Sequence, residues 1–185
     1  MKKALYVGSF DPPTCGHEWM IIESSHLFDE VIVAPATNPN KKPLFNIVKR
    51  LWLLQEIAED LNNVTVKEMP NVFHIDFAAD NNCDYLIRGI RNPIDLEQET
   101  QIIRFNEQKN CGILPVFLMP PKNYSDLSSS LIKSFIGIDG WTKEAAHRVP
   151  FRTLEALIDN QMPRISAPIA SSEKSIINQF IKDFN

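Results

Sequence analysis

Residues able to hold an anion collect at four places in this chain: Thr14, Gly16 and His17; Lys41 and Lys42; Arg88 to Arg91; and 124–130. In the first group Gly8 lets the chain turn sharply and Pro12 and Pro13 stiffen the loop. Gly16, in the first turn of a following helix, leaves unpaired backbone N–H groups open to a ligand. A phosphate suits such a helix start, and His17 on the same turn can donate a hydrogen bond to a phosphoryl oxygen whose charge grows in a transition state. The plain alternative is a histidine that only caps the helix or sits on the surface. Arg88 and Arg91 offer guanidinium groups whose paired hydrogen bonds suit phosphate, with Gly89 relieving crowding between them; ordinary surface basicity is their alternative. Lys41 and Lys42 are weaker signals, since paired lysines in a polar loop are usually solvated. Ser128, Ser129 and Ser130 can cap a helix or present hydroxyl and N–H groups to terminal phosphates. Asp11 can touch a metal or order its loop, and the second role is favoured.

These groups matter only if the fold brings them to one rim. Ala4-Leu5-Tyr6-Val7 and Val31-Ile32-Val33-Ala34 are short apolar runs of the kind buried on both faces, and Val64-Thr65-Val66, Tyr85-Leu86-Ile87 and Val116-Phe117-Leu118-Met119 repeat the pattern. Between them the spacing predicts helices: one from Thr14 with Trp19, Met20, Ile22 and Leu27 near one stripe, one carrying Leu51, Leu54, Ile57, Ala58 and Leu61, a short one over 75–79, and one opened by Pro93. Strands separated by helices imply a parallel sheet, because parallel neighbours need crossover connections. The expected fold is α/β, a doubly wound, Rossmann-like five-stranded parallel sheet with helices on both faces and a C-terminal helical extension. Helical spacing resumes at Leu131 and again over 151–158, and 171–184 places Ile176, Ile177, Phe180 and Ile181 on one face. The expected division is a main domain over 1–158 and a C-terminal extension over 159–185. In open α/β sheets ligands bind beyond the carboxyl ends of the strands, which is where all four groups fall.

The whole chain limits the partners. A length of 185 residues suits one domain with one core, and 44% hydrophobic with 23% charged residues is ordinary for a folded protein. A formal charge of -4 gives no global attraction to nucleic acid or anionic lipid, so any anion site must be local. No apolar run approaches the roughly 20 residues that cross a bilayer, and Asp11 with two prolines interrupts the start too soon for a signal peptide. A cytoplasmic location is expected, with no nucleic acid and no membrane as partner. Cys15, Cys83 and Cys111 contain no C-x-x-C pair, so no disulfide framework, zinc site or other protein-held metal is expected. A G-x-x-x-x-G-K-[ST] loop is absent, which argues against a P-loop enzyme.

The run from Gly8 to His17, GSFDPPTCGH, resembles the G-[ST]-F-D-P-x-T-x-G-H signature of bacterial phosphopantetheine adenylyltransferases. Three further blocks resemble that family in order and near its spacing: Asn40 to Phe45, Leu86 to Arg91 followed by Asp95, Glu97 and Glu99, and Phe117 to Pro120 leading to Leu127 to Lys133. The resemblance spans roughly residues 3 to 158. It implies transfer of AMP from ATP to 4'-phosphopantetheine, giving dephospho-coenzyme A and pyrophosphate. By the same resemblance His17, Lys41 and Arg91 would be catalytic, and Ser9, Lys41, His74 and Arg88 would bind the acceptor. ATP would contact Ser9, Phe10, His17, Gly89, Ile90, Arg91, Glu99, Tyr124, Ser125, Asp126, Leu127, Ser128, Ser129 and Ser130. Magnesium (Mg2+) would accompany ATP, coenzyme A would be a feedback ligand, and the assembly would be a homo-oligomer, a hexamer. The acceptor's arm would lie along 73–77, with Phe73, Ile75 and Phe77 covering its apolar length and His74 or Asp76 meeting an amide. Three departures stand out: His74 where the family tends to be apolar, Ser9 for the commoner threonine, and about 25 residues beyond the family's usual end. Related enzymes that adenylylate nicotinate mononucleotide or move CMP to an alcohol phosphate fit the Arg88 and Ser128 blocks less well, and a non-catalytic nucleotide-binding protein would not need His17.

Overall fold

The structure, a computed structural model, describes residues 1–37, 42–107, 109 and 112–161. Lys41, Cys111 and the 171–184 stripe therefore lie outside the described residues. Five strands, β1 (Lys3–Gly8), β2 (Glu30–Pro35), β3 (Val64–Val66), β4 (Tyr85–Gly89) and β5 (Leu114–Leu118), form one sheet in the order β3-β2-β1-β4-β5. Every neighbouring pair is parallel, with Tyr6 beside Val33 and Ile87, and Arg88 beside Phe117. The chain winds outward from β1 to β3, then returns to β1 to lay down β4 and β5. The order reverses between β1 and β4, and such a switch point opens a crevice at the strands' carboxyl ends.

Alternation along the strands divides the core. Ala4, Tyr6, Val31, Val33 and Ile87 face α1 (Cys15–Leu27) and Leu54 of α2 (Ile47–Ala58). Leu5, Val7, Ile32, Ala34 and Leu86 face the opposite layer, where Phe77 and Ala78 of α3 (His74–Asp80) pack. Helices thus cover both faces. α1 buries Met20, Ile21 and Ser24, while Leu27 is exposed, so the stripe lies one residue away from the expected one. Ser24 can occupy that buried face because its hydroxyl donates to the Met20 carbonyl at 2.6 Å.

After α4 (Pro93–Glu107) and β5 the described residues form four helices: α5 (Lys122–Ser125), α6 (Ser129–Phe135), α7 (Trp141–Ala146) and α8 (Phe151–Gln161). α6, α7 and α8 enclose a separate apolar cluster with Phe45 and the α2 residue Leu53, built on Ile132, Trp141, Leu154 and Leu157. α8 runs to Gln161, three residues past the helix expected at its position. β5 starts at Leu114, two residues earlier than the apolar run suggested, and stops before Met119. Among the described residues no helix is long and apolar enough to cross a membrane.

Candidate active site

The loop from Ser9 to Thr14 folds around two anchors. Phe10, at φ 45, is 0% exposed and puts its ring edge-on to Tyr6 and His17, with centroids 5.3 and 5.1 Å away. A Cβ at Gly8 would stand 3.0 Å from that ring, a tight contact that the buried phenylalanine would have to yield to. Asp11, also buried, accepts from the Leu44 and Phe45 amides at 2.8 Å each and pairs with Lys133 at 3.2 Å. Its carboxylate is taken up in ordering the loop. Arg50, 2% exposed on α2, adds a third tie: its Nη1 donates to the Ser9 and Ala36 carbonyls and its Nη2 to the Thr37 hydroxyl.

Thr14 then caps α1, and His17 is the third residue of the helix. The Thr14 amide donates to His17 Nδ1 at 3.0 Å, and the Thr14 hydroxyl lies 2.9 Å from the same nitrogen. An Nδ1 that accepts from a backbone amide carries no proton, so the neutral ring holds its proton on Nε2. Burial, and then the nearby Arg91 cation, push His17 down to about 4. The cap and the chemical reading therefore hold together: one nitrogen caps, and the other remains an uncharged donor. Cys15 beside it is pushed up to about 12, chiefly by burial and then by Glu18, which leaves a protonated thiol rather than a nucleophile.

His17 lines a cavity of about 290 Å³ at the carboxyl ends of β1 and β4, the switch point of the sheet. Of the residues expected from the sequence, the cavity wall brings together Ser9, His17, Arg88, Gly89, Arg91, Glu99, Tyr124, Leu127, Ser128, Ser129 and Ser130. Thr14 and Gly16 share it, and a Cβ on Gly16 would meet nothing nearer than 3.5 Å, so packing alone does not demand that glycine. Tyr6, Val7, Met20 and Pro120 also line it, residues that the sequence places only in apolar runs or a breaker.

The cations at the rim are partly spent. Arg88 grips Glu99 through Nε, at 2.6 Å to Oε2, and through Nη2 to Oε1, with Nη1 directed to neither oxygen. Arg91 binds Asp95 through Nε at 2.9 Å and the Leu127 carbonyl through Nη1 at 3.2 Å, tying the end of β4 to the segment before α6. Burial works to raise Asp95, but its hydrogen bonds from Arg91 prevail and hold it below the usual carboxylate range. Ser128 caps α6 by accepting from the Leu131 amide, Ser129 donates to the Pro12 carbonyl at 2.8 Å, and Ser130 is exposed.

Several expected contacts lie elsewhere. Phe10 and Ile90 are buried in the fold, so neither side chain reaches the cavity, and Ser125 and Asp126 stand outside its wall. His74, at the start of α3, is also off the cavity; burial, then the Arg88 charge, lowers it against an opposing pull from Glu99. Ile75 and Phe77 are core residues of α3 and cannot cover an acceptor's arm. Asp76 is held by Lys109 at 2.7 Å, which leaves Phe73, 57% exposed beneath the Lys109 ammonium, as the accessible apolar surface of that segment.

Residues 5–135 match the cytidylyltransferase-like family. A phosphopantetheine adenylyltransferase of Chromobacterium violaceum is 40% identical over 141 residues, covering 76% of this chain and 86% of that protein. One of Neisseria meningitidis serogroup C is 36% identical over 157 residues, covering 85% and 92%. Among solved structures, the nicotinic acid mononucleotide adenylyltransferase of Plasmodium falciparum complexed with NaAD has a TM-score of 0.64 at 17% identity, over 87% of this chain and 97% of that one, a likeness of fold. With a capped histidine at the switch point of the sheet and relatives of this identity over most of its length, the chain belongs to the phosphopantetheine adenylyltransferase family of nucleotidyltransferases and is an enzyme of that class.

Proposed function

We propose that the chain transfers AMP from ATP to 4'-phosphopantetheine. The observation that carries this reading is the neutral His17, with Nδ1 fixed by Thr14, set in a cavity that Arg88, Arg91 and three serines also line. An oxygen of the acceptor's phosphate bonds to the α-phosphorus of ATP. The bond from that phosphorus to the oxygen bridging toward the β-phosphate breaks, and pyrophosphate leaves with the electron pair. A phosphomonoester with a second pKa near 6 is already largely dianionic at neutral pH, so no protein base is required. Catalysis falls to alignment and to donors aimed at growing charge, with His17 Nε2–H as the donor to the α-phosphoryl oxygens.

Arg88 Nη1, left over from the Glu99 pair, and the exposed Ser9 suit the acceptor's phosphate, and Lys41 joins them in this proposal. In this reading the acceptor's arm runs toward the start of α3, where His74 and the exposed Phe73 stand. Gly16, Gly89, Arg91 and Ser128 to Ser130 are left for the nucleotide, with the engaged Arg91 shaping the rim as much as binding. Among the described residues no three His, Cys, Asp or Glu side chains gather to cage an ion, and Asp11 is engaged by two amides and Lys133. Magnesium would accompany ATP here, held chiefly by the nucleotide's own phosphate oxygens, and would ease charge on the leaving group. The exposed Ile94, Leu96 and Ile102 of α4, with Leu114 and Met119 at the edge strand, suit contact with further copies of the chain, a hexamer by resemblance, in the cytoplasm. Coenzyme A, which carries the product's nucleotide and arm, suits the same site as a feedback ligand.

The test is pyrophosphate release from ATP and magnesium with 4'-phosphopantetheine and nicotinate mononucleotide offered separately. Release with the first and little with the second is expected, and the reverse preference overturns the acceptor while leaving the nucleotidyltransferase reading in place.

A further inference from the structure

Tyr6 sits in the middle of β1, between Val33 and Ile87, at a position that an apolar residue would fill equally well. It is 6% exposed and lies edge-on to Phe10. Among the described residues nothing hydrogen-bonds its hydroxyl, although buried hydroxyls nearly always find a partner. Nor is the hydroxyl sealed in the core: the enclosed side-chain atoms lacking a partner are Arg50 Nε and Thr153 Oγ1. Tyr6 lines the cavity together with His17, Arg88 and Arg91.

Burial raises the phenol above its ordinary value, and the Arg88 and Arg91 charges pull against that rise. The group therefore remains protonated and able to donate. Both cations belong to the end of β4 and the turn beyond it; each is paired, with Glu99 and with Asp95, but Arg88 keeps Nη1 clear of its partner, so the Tyr6 hydroxyl shares the cavity wall with a cationic donor still able to take an anionic oxygen. We infer that the Tyr6 hydroxyl donates a hydrogen bond to a phosphate oxygen of the nucleotide bound in this cavity, making it a further binding residue of the site. This rests on the adenylyltransferase reading above.

Tyr6→Phe removes one oxygen and keeps the ring contact with Phe10. ATP is titrated calorimetrically into both proteins. A dissociation constant raised about tenfold is expected, the scale of a lost hydrogen bond to a charged group. The melting temperature should stay the same, and the acceptor's KM at saturating ATP should change by less than about twofold. Equal ATP affinity in the two proteins, an increase confined to the acceptor's KM, or a matching fall in melting temperature overturns the assignment. Turnover of the wild type with 4'-phosphopantetheine is measured alongside. A wild type that binds ATP yet forms no product sinks the proposed reaction, while the titration still decides the role of Tyr6.

Discussion

Replacing His17 separates a folding role from a chemical one, because the two ring nitrogens serve different ends. Nδ1 accepts from the Thr14 amide at 3.0 Å and so closes the first turn of α1. In His17→Ala that capping contact is lost, at a cost of about 1 kcal/mol. The same variant loses the Nε2 donor, and the loss of one donor aimed at developing charge lowers turnover about a hundredfold or more, roughly 2.7 kcal/mol of barrier. His17→Gln should recover much of the stability, since glutamine at the third helical position can reach back to the capping amide, without recovering the rate. Urea unfolding reads the first effect and steady-state kinetics the second, with KM for ATP changing far less than kcat. Acidity gives a further check. The folded state holds His17 near 4 against an ordinary 6.5, so it binds fewer protons than the unfolded chain between those values. This share of stability is complete above about pH 6.5 and is lost as pH falls through that window toward 4, and His17→Ala should lack it. Turnover unchanged in His17→Ala, or a loss in ATP binding as large as the loss in rate, would refute the role given to Nε2.

Asp11→Ala leaves the Leu44 and Phe45 amides and Lys133 without their acceptor and should cost about 3 kcal/mol in urea unfolding; a loss under about 1 kcal/mol would mean that the loop does not depend on it. Gly16→Ala places its Cβ in ordinary contact with Thr14 and Tyr124, so thermal stability should hardly move, while KM for ATP rises about tenfold where a phosphate must approach; an unchanged KM contradicts that approach. Truncation after Gln161 removes the Ile176, Ile177, Phe180 and Ile181 stripe and should alter the sedimentation coefficient or lower the melting temperature; neither change would leave the extension without a packing role.

The parts of this fold legible in the sequence are those where one physical demand dominates. β1 and β2 are buried on both faces, so their apolar runs stand out from the turns around them. The start of β5 is less legible because Pro115 lies inside it; a proline is tolerated there because β5 is the edge of the sheet, with β4 as its neighbour. α7 follows Gly140, whose left-handed φ of 75 starts a helix of six residues, too short for any stripe to register. Motif residues near each other in sequence, such as Thr14 and His17, announced their contact, whereas the Arg88–Glu99 pair spans eleven residues and a helix start. Ile75 and Phe77 read as candidates for a binding surface because composition cannot say which face of a short helix turns inward. Tyr6 and Arg50 stayed hidden for the opposite reason: each belongs to a regular element whose pattern accounts for it without reference to a ligand.

The helices after β5 bear on the chemistry although most of their residues never touch the cavity. The loop that carries Ser9 and presents α1 is restrained from several directions, and three of the restraints come from the last third of the chain. The Arg148 carbonyl accepts from the Cys15 amide at 2.9 Å, Ser129 donates to the Pro12 carbonyl, and Lys133 reaches Asp11. Each bond is modest alone, but all converge on the few residues whose placement decides whether His17 Nε2 meets a phosphoryl oxygen, where a displacement of about 1 Å can cost two orders of magnitude in rate. The apolar cluster around Trp141, Leu154 and Leu157 holds those donors and acceptors in place from behind. Cavities made in that cluster, as by Leu157→Ala, should therefore lower kcat at temperatures where the protein is still folded, in addition to the roughly 2 to 5 kcal/mol lost in stability. A variant that loses stability on that scale yet keeps kcat at full value below its transition would show that the loop holds its shape without the helices behind it.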